Sequence, residues 1–208
     1  LVAFVGFLSI LTMLTNASAQ TIDVQIGTQT GTTTFLPLNA YYGYSYSQQI
    51  YTASDLMGAG ITGPATISKI RFYRVDGSLS NSFQWTVYLA NSTKTAFTSN
   101  SDWEMSSNLN EVFNGNIVDA GSNAWMEITL STPFAWDGTS NLIVAVDENQ
   151  SSYGGTSNWR KSDLGSNRAI YYTNDYTNPS PASPPSGTRL GSVNNLQLVA
   201  ASNTDCTG

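Results

Sequence analysis

Apolar positions in this chain recur at every second residue, not at every third or fourth. In Gln84-Trp85-Thr86-Val87-Tyr88-Leu89-Ala90 the apolar Trp85, Val87 and Leu89 alternate with the opposite set. That is the period of a strand with one face turned to a core. Trp125-Met126-Glu127-Ile128-Thr129-Leu130 repeats it, with Met126, Ile128 and Leu130 inward and Trp125 on the other face. Residues 141–147 form a near-continuous apolar run, as expected of a central strand. Further strands are expected at 21–27, 48–51, 66–75, 111–118, 168–173 and 192–199. Asp76-Gly77, Asn114-Gly115 and Asp137-Gly138 are pairs that tolerate positive φ and are expected to turn the chain. No stretch has a convincing helical period, although Asp55-Leu56-Met57 is suited to start one turn. Short strands divided by Gly, Asn, Asp and Pro clusters argue for a sandwich or barrel. The expected core holds Trp85, Val87, Leu89, Ile128, Leu130, Leu142, Val144 and Val146. The Pro-rich piece 178–185 reads as a rigid loop inside the domain, because a strand-like segment follows it. An interdomain linker is the alternative.

The first nineteen residues have a different character. Residues 1–14 are almost wholly apolar, and Ala17-Ser18-Ala19 follows shortly after. An apolar run of that length ending in small residues at A-x-A spacing is expected to be an export signal, cut before Gln20. It is too short to span a bilayer, and no later segment could do so. The positively charged start is missing and residue 1 is not Met, so the chain is expected to be cut at its N-terminus. The expected organisation is a signal peptide at 1–19, a β-sandwich module at 20–200, and the start of a linker or next module at 201–208. The destination is the cell exterior or surface.

Composition narrows the function classes. Charged residues make up 11 % and aromatics 12 % of the chain, and eight basic against fourteen acidic residues give a net charge of −6. No basic stripe exists to meet phosphate, so nucleic acid is not an expected partner. Abundant aromatics argue against disorder. Cys206 is the only cysteine, so no disulfide within the chain can brace the fold, and an odd Cys near the end suggests a partner in a following module.

The quoted blocks also resemble a known family. The Tyr-rich run Tyr41-Tyr42-Gly43-Tyr44-Ser45-Tyr46-Ser47-Gln48-Gln49-Ile50-Tyr51, the strand 85–89, the block Trp125 to Phe134 and the block Asp137 to Asp147 together resemble the N-terminal β-sandwich module of large type IX-secreted surface proteins. More distantly they are similar to the jelly-roll adhesin domains of gingipain-type proteases. The resemblance covers roughly residues 22–199, and the block from Trp125 to Asp147 is its most specific element. It implies an all-β, antiparallel two-sheet sandwich of jelly-roll type, a secreted or surface location, and further modules downstream. It carries no catalytic motif.

Candidate chemistry is sparse. The chain has no His, which removes Ser-His-Asp, Cys-His and His-ligated zinc sites. Carboxylate pairs of the glycosidase kind remain, with Asp102/Glu104 and Asp147/Glu148 nearest in sequence. Solvated loop carboxylates are the plainer reading. No catalytic residue and no cofactor are assigned. Structural calcium is the ionic partner left open, with Asp147-Glu148-Asn149 and Asp175 as oxygen sources, but no EF-hand spacing exists and no ligand is assigned. The best functional signal is aromatic. Trp103 and Trp159 have polar neighbours on expected loops, and either stack on a sugar ring or fold back as lids over the sandwich ends. Trp159 with Tyr153, in the long segment after Asp147, forms the expected platform. The expected function is a noncatalytic adhesion or binding module whose partner is a glycan or a surface protein. The rivals are a carbohydrate-binding module attached to a polysaccharide-degrading enzyme and a structural spacer.

Overall fold

A computed structural model describes residues 20–80, 82–151 and 153–202. The expected export signal at 1–19 and Cys206 lie outside the described residues. In chain order the elements are β1 (Thr21–Ile26), β2 (Gly31–Thr33), β3 (Tyr44–Tyr51), α1 (Ala53–Ala59), β4 (Ala65–Ser78), β5 (Gln84–Ser92) and β6 (Asn110–Asn116). There follow β7 (Ala124–Trp136), β8 (Asn141–Glu148), β9 (Thr156–Asp163), β10 (Ala169–Asn174), β11 (Thr188–Leu190), β12 (Ser192–Asn194) and β13 (Leu196–Ser202).

The strands form two antiparallel sheets packed face to face, an all-β sandwich. One sheet runs β1-β13-β4-β9-β12, with β7 also paired to β4 and β2 to β9. The other runs β11-β10-β3-β8-β5-β6. Trp85, Val87 and Leu89 of β5, Leu142, Val144 and Val146 of β8, and Ile128 and Leu130 of β7 all lie in the single core between them, with Ile70, Phe72, Leu196 and Leu198. Strand alternation therefore does what it predicts at these positions. Polar contacts also join the layers. Gln49 of β3 donates from Nε2 to Asn194 Oδ1 (2.9 Å) and accepts from the Asn194 N–H (2.7 Å), while Tyr51 Oη donates to the Asn194 carbonyl (3.0 Å). Each buried polar group there finds a partner, as burial requires.

The second sheet is covered on its outer face too. Tyr46, Ile50, Ala90, Ile143, Ala145 and Ile170 point away from the main core into a second cluster, closed by Phe97 and Trp103 from the segment between β5 and β6. This cover is why β8 is apolar on both faces. It sits between β3 and β5 in the sheet and between two clusters across it.

Several local expectations are corrected. Residues 192–199 are not one strand: β12 pairs with β9 and β13 with β4 and β1, with the change at Asn195. Asn114-Gly115 lies inside β6, paired with Thr86 and Trp85, and does not turn. Asp76-Gly77 does not end the strand: it lies within β4, paired with Asn158 and Ser157 of β9, just after a register shift between Arg74 and Asp76. Gly77 has φ +85, and a Cβ there would fall 1.7 Å from the Thr156 carbonyl oxygen, so only glycine allows this approach. Asp137-Gly138 does turn the chain from β7 to β8, its carboxylate accepting from the Thr139 and Ser140 N–H groups at 2.8 and 2.7 Å. The Pro-rich segment belongs to the domain: Trp103 Nε1 donates to the Pro185 carbonyl (2.9 Å) and Asn178 Nδ2 to Asn149 Oδ1 (2.7 Å). Helix α1 follows the expected turn at Asp55, where Thr52 and Asp55 form a reciprocal capping box.

Candidate functional site

The five tryptophans divide four to one. Trp85 Nε1 donates to the Ser82 carbonyl (2.8 Å), Trp103 to Pro185 (2.9 Å), Trp136 to Ser140 (2.8 Å) and Trp159 to Ser157 Oγ (3.0 Å). All four rings are buried. Trp125 is partly exposed, and its indole N–H has no acceptor among the described residues.

Two of the expected ligand-binding residues are thereby corrected. Trp159 is on β9, not a loop, and is fully buried, meeting Trp85 edge-on at 6.1 Å. It cannot present a ring to a sugar. Trp103 is 7 % exposed and stacks on Tyr46 at 5.1 Å, which makes it a lid over the outer cluster. Tyr153 is exposed, and the adjoining Gly154 and Gly155 donate to the Tyr41 and Ala40 carbonyls at 3.1 and 3.0 Å. The structure does not bring Tyr153 together with either indole.

The groups that do converge lie on the outer face of the first sheet. Tyr73 of β4 and Trp125 of β7 are directly opposite in register, and their rings meet edge-on at 5.3 Å. From β9, the Arg160 guanidinium lies over the Tyr73 ring, 5.7 Å from its centre. Trp125 stands between two hollows. One, of about 450 Å³, is mostly apolar and lined by Phe113, Ile117, Val118, Ala120 and Thr129. The other, of about 210 Å³, is rimmed by amides and hydroxyls from Gln25, Gln29, Asn195, Thr28 and Thr30, together with Arg160. Beside the strip, Glu127 accepts from Lys69 (2.6 Å) and Arg71 (2.8 Å), and Arg71 also pairs with Asp23 (2.7 Å). The hydrogen bonds from Lys69 and Arg71 hold the Glu127 carboxyl below its ordinary range.

The carboxylates near in sequence do not form a reacting pair. Asp147 and Glu148 are consecutive in β8, so they point to opposite faces of the sheet. Both are buried, and Asp147 Oδ1 and Glu148 Oε2 have no hydrogen-bond partner among the described residues. Loss of solvation pushes Asp147 up to about 7 and Glu148 up to about 8, the latter helped by repulsion from Asp147. Asp102 is tied to Lys94 and to Thr98, and Glu104 accepts from Ser92 Oγ (2.5 Å) and Asn108 Nδ2 (2.7 Å). These two carboxylates brace the segment that carries Trp103. Among the described residues no three His, Cys, Asp or Glu side chains gather where they could hold a metal ion. Nor is any helix there long and apolar enough to cross a membrane.

Compared with known proteins, the chain matches no family model, and no curated protein matches it significantly. What fold and site define together is a two-sheet β-sandwich carrying one outward strip of tryptophan, tyrosine and arginine.

Proposed function

We propose that this protein is a noncatalytic extracellular binding module, part of a larger secreted or surface protein, which holds a carbohydrate chain on the outer face of its first sheet. The observation that carries this reading is Trp125, a partly exposed indole whose N–H has no acceptor among the described residues. A flat aromatic ring offers an apolar face to the C–H side of a sugar, and its N–H can donate to a hydroxyl. The amide- and hydroxyl-rimmed hollow on one side supplies further donors and acceptors for sugar hydroxyls, as binding sites commonly do with a few placed polar groups. Adhesion then follows from glycan recognition, and the downstream modules of the same polypeptide would supply any further activity.

The test is titration with a panel of soluble oligosaccharides, comparing the protein with its Trp125→Ala variant. Ring stacking contributes about 1 kcal/mol and one hydrogen bond about another. The variant should therefore bind roughly ten- to thirty-fold more weakly. Its melting midpoint should change little, since Trp125 is on the surface and its cross-strand contact with Tyr73 is of the order of 1 kcal/mol or less. Equal affinity of both proteins for every ligand bound would remove the strip as the site.

A further inference from the structure

We infer that the ligand of this strip is an acidic glycan, with Trp125 stacking on a sugar ring and Arg160 pairing with a uronate carboxylate. This rests on the binding reading above and names its substrate class. Acidic residues outnumber basic ones by fourteen to eight in this chain, so a cation without a carboxylate is an exception to explain. Six of the eight basic side chains are paired: Lys69, Arg71, Arg74, Lys94, Lys161 and Arg168. Arg189 is not, but it is spent on the Asn100 side chain and the Phe97 and Thr98 carbonyls, bracing a loop.

Arg160 differs from both groups. A single hydrogen bond, from Nη1 to the Thr30 carbonyl (2.5 Å), fixes its head beside Tyr73. Its Nε and Nη2 have no acceptor among the described residues. Those two nitrogens share one edge of the guanidinium, and two parallel N–H bonds along such an edge match the two oxygens of a carboxylate. The adjacent carboxylates are already engaged: Asp76 accepts from Asn158 (2.6 Å), and Glu127 and Asp23 are held by Lys69 and Arg71. Arg160 itself lines the hollow that also touches Trp125 and is rimmed by neutral amides and hydroxyls. Ring platform, hydroxyl partners and an unspent carboxylate-binding edge thus meet in one place.

The experiment pairs acidic and neutral oligosaccharides of matched backbone. Galacturonate oligomers are titrated against their fully methyl-esterified forms, and mannuronate oligomers against mannan oligomers, with the protein, Arg160→Gln and Trp125→Ala. At least one acid form should bind tenfold or more tightly than its neutral counterpart at low salt. That preference should shrink at high ionic strength, where charge pairs are screened. Arg160→Gln should erase the preference while keeping the weaker neutral binding. Equal affinity for acid and neutral forms overturns the acidic class and leaves the sugar reading standing, as does binding of neutral oligomers alone. A preference that survives in Arg160→Gln overturns the assignment to Arg160. Binding of none of the oligomers overturns the inference and the carbohydrate reading together.

Discussion

Trp159→Ala should cost roughly 3–5 kcal/mol of unfolding free energy, the range for truncating a large buried aromatic. The indole is fully buried, packs against Trp85 and satisfies its own N–H on Ser157. Its removal leaves a cavity where the end of the first sheet meets the second, and frees the Ser157 hydroxyl inside it. For a domain of this size each kcal/mol moves the melting midpoint by about 2–4 °C, so a fall of about 10 °C is expected. Trp159→Phe, which keeps most of the volume, should recover much of it. Denaturant titration reads the difference directly, and a loss below 1 kcal/mol would mean that the ring is not in the core.

How much of this could be read from the chain follows from where side chains alternate. In β5 and β7 every second residue is apolar and β8 is an apolar run, so the core positions and even the outward direction of Trp125 were legible. In β9 they were not. Thr156-Ser157-Asn158-Trp159-Arg160-Lys161-Ser162-Asp163 buries Ser157, Trp159 and Ser162, and two of those three are polar. Each serine is buried beside a local partner: Ser157, on the Trp159 face, accepts from Trp159, and Ser162, on the Arg160 face, donates from Oγ to Asn195 Oδ1 at 2.8 Å. A strand that buries polar groups looks like a loop, and Trp159 then looks like a loop platform. The site was hidden for a related reason. Tyr73, Trp125 and Arg160 belong to three strands distant in sequence, and only the register of β4 with β7 and β9 sets them side by side. Burial of Asp147 and Glu148 was equally invisible, because it comes from the covers on both faces of β8.

Those two carboxyls make the second large effect, a stability that falls as pH rises through neutrality. Their folded-state values, about 7 and about 8, lie above the ordinary carboxylate range because burial disfavours the charged form. Between pH 4 and 8 the native state holds protons that the unfolded chain has released, so raising pH favours unfolding. The contribution is fully present below the unfolded values and is lost as pH climbs through about 7 and 8. Each value is raised by about three units or a little more, so at 1.4 kcal/mol per unit the loss is on the order of 4–5 kcal/mol per carboxyl. Asp55, Asp102 and Asp137 act in the opposite sense. Hydrogen bonds, and for Asp55 and Asp102 a neighbouring cation, hold them below their ordinary value against the cost of burial. Their contribution is lost as pH falls below about 4. Maximum stability is therefore expected on the acid side of neutral, near pH 5. Asp147→Asn and Glu148→Gln should each flatten the decline toward pH 9, as measured by urea midpoints across pH. A profile that rises from pH 5 to 9, or variants that leave it unchanged, would contradict the burial of these groups.

The central claim is that Trp125 is the ring that meets ligand, and the five indole N–H groups report on it separately. In a ¹⁵N–¹H spectrum, four indole signals should exchange slowly with deuterium, because their protons are bonded inside the fold. The Trp125 signal, identified by its loss in Trp125→Ala, should exchange fast. On addition of the oligosaccharide bound best in the panel, that signal should shift and gain protection, while the other four stay in place. A ligand that binds while moving one of the other four signals and leaving Trp125 untouched would contradict the account.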